Sequence, residues 1–187
     1  MANNIVTPEA TLSFPVFKAP KPRSEGSKPV FSCALLFDKE AQASAPYKAM
    51  QQACIKAAKD KFGADVKLST IQFPFKDAGE KDYAGYEDGV MYINPWSEQK
   101  PGMVDGKNND ILDYDQAYAG CRVRASIAPF AWSNSGKKGV SFGLNHIQIV
   151  KDGPRIDGRI SAGKAFGAAL ADAEDSDSPF LLTPWTR

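Results

Sequence analysis

Apolar and polar positions alternate along most of this chain with the period of two that belongs to strands. The first alternating stretch is Thr11 to Phe17, stopped by the Pro-Lys-Pro of residues 20–22. Val30 to Phe37 is almost continuously apolar, which predicts a central strand. Leu68 to Phe75, Val90 to Asn94, Cys121 to Ile127 and Val140 to Val150 complete the set, and Gly143 and Asn145 break the last alternation where a bulge or bend is expected. One segment follows the helical period instead. Ser44 can cap it, Pro46 suits its first turn and Gly63 ends it, while Tyr47, Met50, Cys54 and Ala57 line one face. Lys48, Lys56, Lys59 and Lys61 lie on the other, a pattern that a solvated helix surface explains.

The connections are long and rich in turn formers. Lys18 to Lys28 reads as a flexible basic loop, Lys76 to Gly89 as a polar turn region, and residues 97–116 as a loop with a hairpin at Asp105-Gly106. Residues 129–139 (PFAWSNSGKKG) read as a further loop. No βαβ alternation supports a doubly wound sheet. The prediction is a mainly β chain: an antiparallel barrel of five to six strands, like the oligonucleotide-binding (OB) fold, with one inserted α-helix and long loops. Residues 1–10 are expected to be a flexible lead-in, 11–171 the barrel domain and 172–187 a tail.

Composition narrows the function. The chain has 187 residues, with 23 basic and 22 acidic, so it carries no global pull toward polyanions. That balance hides a polarity: Asp172, Glu174, Asp175 and Asp177 sit in the last sixteen residues, which leaves a mildly basic body and an acidic tail. Such a tail could compete for a cationic groove or recruit proteins; a solvated end is the plainer reading. Cys33, Cys54 and Cys121 form no CxxC pair and suit a reducing compartment. No stretch reaches the roughly 20 apolar residues of a membrane span.

Enzymatic readings find little support. His146 is the sole histidine, and neither a phosphate loop nor a dinucleotide fingerprint occurs. Asp105, Asp110, Asp113 and Asp115 are the densest acids of the body and leave a metal-dependent nuclease as an alternative, although Lys107 spoils an EF-hand spacing. No cofactor or metal is expected. Nucleic-acid binding is better supported, because single-strand binders combine stacking rings with cations. Tyr92, Trp96, Tyr118 and Trp132 are the candidate stacking residues, and Lys100, Arg122, Arg124, Lys137 and Lys138 the candidate phosphate contacts.

Those residues also carry a resemblance. YINPWSEQKPGMVD, then DYDQAYAGCRVRASIAPFAWSNSGKKGVSFGLNHIQIVKDG, resembles a family of bacteriophage single-stranded-DNA-binding proteins. The matching positions include Tyr118, Gly120, Cys121, Val123, Arg124 and Ala125, then Gly139, Gly143, Leu144, Asn145, Ile147 and Gln148; LSFPVFKAP, VFSCALLFDKE and DGPRIDGRISAGKAFGAA extend the likeness from about residue 10 to 170. The resemblance implies an OB fold and sequence-independent binding of single-stranded DNA in phage replication, recombination or repair. It also implies a non-enzymatic protein of the infected host's cytoplasm whose tail contacts phage or host replication proteins; between monomer and homodimer the sequence does not choose. Family tails often end in an aromatic residue; this one ends Trp185-Thr186-Arg187. A non-DNA-binding adaptor acting through the tail is the remaining alternative.

Overall fold

The computed structural model describes residues 4–158, so the acidic tail lies outside the described residues. In chain order the elements are β1 (Ile5–Val6), β2 (Ala10–Pro22), β3 (Pro29–Phe37), α1 (Lys39–Ala43), α2 (Ala45–Phe62), β4 (Ile71–Gln72), β5 (Lys76–Asp77), β6 (Met91–Ile93), β7 (Trp96–Ser97), β8 (Gly102–Val104), β9 (Arg122–Asn134) and β10 (Lys137–Lys151). All ten strands belong to one sheet, whose path runs β1-β9-β10-β7-β3-β6-β5. Because β2 pairs with both β3 and β9, the strands β2, β9, β10, β7 and β3 close into a ring. Closure removes most free edges, as a small barrel requires. The long pairings β2–β3 and β9–β10 are antiparallel as expected, whereas β4, β7 and β8 each add a short parallel contact to β10.

The helix boundaries follow from the capping residues. Ser44 Oγ accepts from the Tyr47 N–H, Pro46 lies in the first turn, and Gly63 ends α2 at φ 101°. Tyr47, Met50 and Cys54 are buried as the spacing indicates, and Ala58 rather than the partly buried Ala57 completes the inward face. A short helix, α1, precedes it, capped by the Asp38 carboxylate accepting from the Ala41 N–H. It is too short to leave a periodic signal.

Four segments differ from the sequence expectation. Residues 5 and 6 of the supposed lead-in pair with Ile127 and Ser126, and the neighbouring Thr7 is fully buried with its hydroxyl accepting from the Ala125 N–H. Strand β2 runs past Pro20 to Pro22. It tolerates prolines because its pairing there is intermittent and its side chains are exposed, as at a sheet edge. Leu68 to Phe75 is mostly not strand: Leu68–Thr70 forms a 3-10 turn and only Ile71–Gln72 pairs. Finally, the loop at 129–139 is absent. Its residues extend β9 and β10 into one long hairpin, turned by Ser135 (φ 47°) and Gly136 (φ 79°). Two consecutive positive-φ residues make the turn that matches strand twist in two-residue hairpins. The bulge expected near Asn145 is present, since the register shifts between Leu144 and His146.

The main core joins the inner faces of these strands to α2 and includes Leu12, Leu35, Phe37, Met50, Ile93, Val123, Ile127, Phe142, Leu144 and Ile147. All three cysteines are buried and unpaired. Burial pushes the Cys54 thiol up to about 12 and Cys121 up to about 11, so both stay protonated and unreactive near neutrality. A second, smaller core of Ala34, Leu36, Ala78, Tyr86 and Tyr92 sits on the opposite side of β3.

Candidate nucleic-acid interface

Long alternating strands place every second side chain on the same side, so the β9–β10 register determines which rings share a face. Phe130 lies opposite Ser141, Trp132 opposite Gly139 and Ala128 opposite Gly143, and Gly143 in turn pairs with Trp96 of β7. Val140, Phe142 and Leu144, which alternate with these positions, fill the core. Trp96, Phe130 and Trp132 therefore share the outer face of the sheet. Trp96 and Phe130 meet edge to face with centroids 5.7 Å apart. Trp132 Nε1 donates to Ser141 Oγ at 3.1 Å, which fixes the indole across β10.

Glycine makes that placement possible. A Cβ on Gly139 would stand 2.4 Å from Trp132 Cζ2 and 2.9 Å from the Gln72 carbonyl oxygen. The indole thus occupies the room that a side chain would take.

Cations border the face at both ends. The Arg23 guanidinium lies 5.8 Å from the centre of the Trp96 ring. Arg23, Lys28, Trp96 and Glu98 help line a hollow of about 570 Å³ at the β2–β3 tip. That tip is built: Ser27 Oγ accepts from the Arg23 and Ser24 N–H groups and donates to the Ser24 carbonyl. At the other hairpin tip, Lys137 shares by alternation the side of Gly139 and Ser141.

The other sequence candidates divide among different places. Tyr92 is only 5% exposed and meets Tyr86 edge to face in the small core, so it has no ring face to offer a base. Lys138 points the other way from Lys137, over the Phe62 ring of α2 at 5.1 Å. Lys100 lies 4.0 Å above the Tyr114 ring. Tyr118 carries Arg155 over its ring at 4.7 Å, and its hydroxyl donates to the Gly153 carbonyl. Tyr114 and Tyr118 line a separate cleft of about 770 Å³, together with Phe14, Lys18, Lys21 and Tyr83. Arg124 is exposed on β9 and pairs with no acid among the described residues.

Arg122 is engaged internally. Its Nε donates to Glu9 Oε1 at 2.8 Å, Nη1 donates to Thr11 Oγ1 at 2.7 Å, and Nη2 stands 3.6 Å from Asp38. The bond from Arg122, aided by Lys151, holds the Glu9 carboxyl below its usual range. Arg122→Ala is therefore expected to reduce stability by about 1 kcal/mol and to change DNA affinity less than twofold. Because the folded Glu9 value is lowered, that deficit is full at neutral pH and fades as pH falls below 4.5, the ordinary glutamate value. Urea melts at two pH values and an oligonucleotide titration check both halves.

The acids between 105 and 115 serve local structure. The Asp105 carboxylate accepts from the Lys107 and Asn109 N–H groups and from Asn109 Nδ2; Asp113 accepts from the Asp115 N–H, and Asp115 pairs with Lys18. Among the described residues, no three of His, Cys, Asp or Glu converge as a metal site would need.

Three residues at this face were missed by sequence reasoning, Phe130, Arg23 and Lys28. Phe130 stands two positions before Trp132, which is the strand signal for a shared face once 129–134 is read as strand rather than loop.

A family model described as the ssDNA-binding protein of Enterobacter phage Enc34 matches residues 3–178. A putative protein, p50, of Acyrthosiphon pisum secondary endosymbiont phage 1 is 31% identical over 88 residues, which is 46% of this chain and 47% of that protein, so the match spans about half of each. Among solved structures, the single-stranded-DNA-binding protein of bacteriophage Enc34 in complex with ssDNA superposes with a TM-score of 0.68 at 22% identity, over 81% of this chain and 88% of that one. The gp2.5 single-stranded-DNA-binding protein of bacteriophage T7 gives 0.60 at 13% identity, over 85% and 97%. At such identities the structural likeness establishes the fold.

Proposed function

The chain belongs to the family of the Enterobacter phage Enc34 ssDNA-binding protein, and from that premise we propose that it coats single-stranded DNA through the outer face of Trp96, Phe130 and Trp132. The observation that carries the reading is the shared side of these three rings, set between the cations of two hairpin tips. Rings stack on any base, and Arg23, Lys28, Lys137 and Arg124 can follow a phosphate backbone without reading sequence. The protein acts by binding, protecting or organising single strands during phage replication, recombination or repair in the host cytoplasm. Residues 172–187 serve as a handle for phage or host replication proteins.

Titration of tryptophan fluorescence with a thymidine homopolymer tests the reading. Quenching at low salt is expected, because Trp96 and Trp132 both lie on the face. The affinity should fall with salt at a log–log slope of about −3, if four cations each contribute roughly 0.7. No quenching and no anisotropy change at low salt would overturn it.

A further inference from the structure

We propose that the bound single strand runs beyond the Trp96 face onto a second stacking platform formed by Phe14 and Tyr83 at the mouth of the 770 Å³ cleft. This rests on the binding reading above and adds a separate set of residues to it.

Phe14 is 52% exposed and holds φ 45°, in the left-handed region that bulky residues rarely adopt. The register of β2 against β3 shifts between Ser13 and Val16, and this irregularity turns the ring outward while Leu12 and Phe17 stay in the core. A glycine would make the same bend without strain. An exposed aromatic ring kept on such a backbone points to a use for the ring.

Tyr83 is 55% exposed and meets Phe14 edge to face at 5.2 Å. Behind it, Tyr83 packs on Tyr86 at 5.4 Å, and Tyr86 on the buried Tyr92 at 5.3 Å. The platform is thus braced by a row of rings that ends in the small core. Preorganised rings lose little freedom when a base stacks on them.

The platform is also continuous with the first face. Trp96 pairs with Ser32 and Ser32 with Val16, so the sheet carries the path across two strand spacings, roughly 10 Å. Phe14 lies at the next turn of the bulged strand. The charge of the cleft favours a polyanion over an apolar partner: Lys18, Lys21 and Arg155 line it, with Asp115 beside Lys18 and Asp157 beside Arg155. Lys21 pairs with no acid among the described residues.

The test compares oligothymidylates of about 5 and about 15 nucleotides, within and near the upper limit of what one such barrel covers. In the full chain, Phe14→Gly combined with Tyr83→Ala should weaken the longer oligonucleotide roughly tenfold and leave the shorter one unchanged. Tyr83→Phe alone should retain wild-type affinity for both. Phe14→Gly relieves the positive φ, so a melting temperature no lower than wild type confirms that any binding loss is not loss of fold. Unchanged affinity for the longer strand overturns the proposal, and so does an equal loss on both lengths, which would make the pair a support for the first face. If the wild type binds neither length, the binding reading fails and the extension with it.

Discussion

Replacing Trp96 and Phe130 together by alanine should weaken single-strand binding by about 2–4 kcal/mol, or roughly 30- to 1,000-fold. The two rings meet at 85°, so they cannot stack on one base in parallel; each serves a different base or braces the other. The expected loss therefore exceeds that of either single variant. The four cations proposed to follow the phosphates, Arg23, Lys28, Arg124 and Lys137, remain in the variant, so the salt slope should hold while affinity drops. That combination separates lost stacking from lost charge. Both rings are half-buried, and truncation should also lower the melting temperature by a few degrees. Anisotropy titrations at two salt concentrations, on variants shown to melt cooperatively, provide the measurement. A loss below threefold would move the binding surface away from this face.

Much of the barrel could be read from periodicity because its long strands have one buried and one open side. The first half of β9 is of this kind, β3 shows instead as a continuous apolar run because both of its faces are covered, and α2 was marked at both ends by Ser44 and Gly63, which cap it as expected. Periodicity failed where tertiary pairing rather than pattern decides structure. Ile71–Gln72 and Trp96–Ser97 are strands only because β10 and β3 lie beside them. The hairpin tip failed for a different reason: Ser-Gly was read as part of a loop rather than as a two-residue turn, which hid Phe130.

The candidate site was legible in residue type and less so in direction. Trp96, Trp132 and Lys137 fall on one face, whereas Tyr92, Lys100, Tyr118 and Lys138 lie elsewhere, because orientation depends on register. Lys137 and Lys138 are neighbours on opposite sides of β10, one beside the aromatic face and one over α2. Arg122 and Arg124 share a side, but Glu9 and Asp38 reach Arg122 alone. Those acids are 113 and 84 positions away in sequence, so alternation within CRVRASI carries no trace of them. Tyr92 likewise looks exposed in a short strand, until residues 78–90 fold over it.

Gly120→Ala should be the most destabilising single methyl addition to this barrel, at about 3 kcal/mol or more. Gly120 holds φ 112°, and a Cβ there would lie 2.0 Å from the Pro154 carbonyl oxygen and 3.0 Å from Arg155 Cα. Both are backbone atoms, so no side chain can rotate aside. Gly153 answers from the segment after β10, where a Cβ would approach the Gly120 carbonyl oxygen to 2.1 Å. The two glycines let residues 153–156 close on the segment before β9, where the Ile156 N–H donates to the Ala119 carbonyl and the Gly153 N–H donates to the Tyr118 hydroxyl. Gly63→Ala is the control, since Gly63 has a similar φ of 101° and nothing within 4 Å of the added carbon. It should cost about 1–3 kcal/mol, the penalty by itself of a backbone region (φ 101°, ψ 152°) that glycine alone enters readily. Urea midpoints for the two variants then measure the steric part by difference. The same closure places Arg155 over Tyr118, so a Gly120 variant that still folds should lose affinity for long oligonucleotides before short ones. Equal midpoints for the two variants would show that residues 153–156 can lift away without penalty.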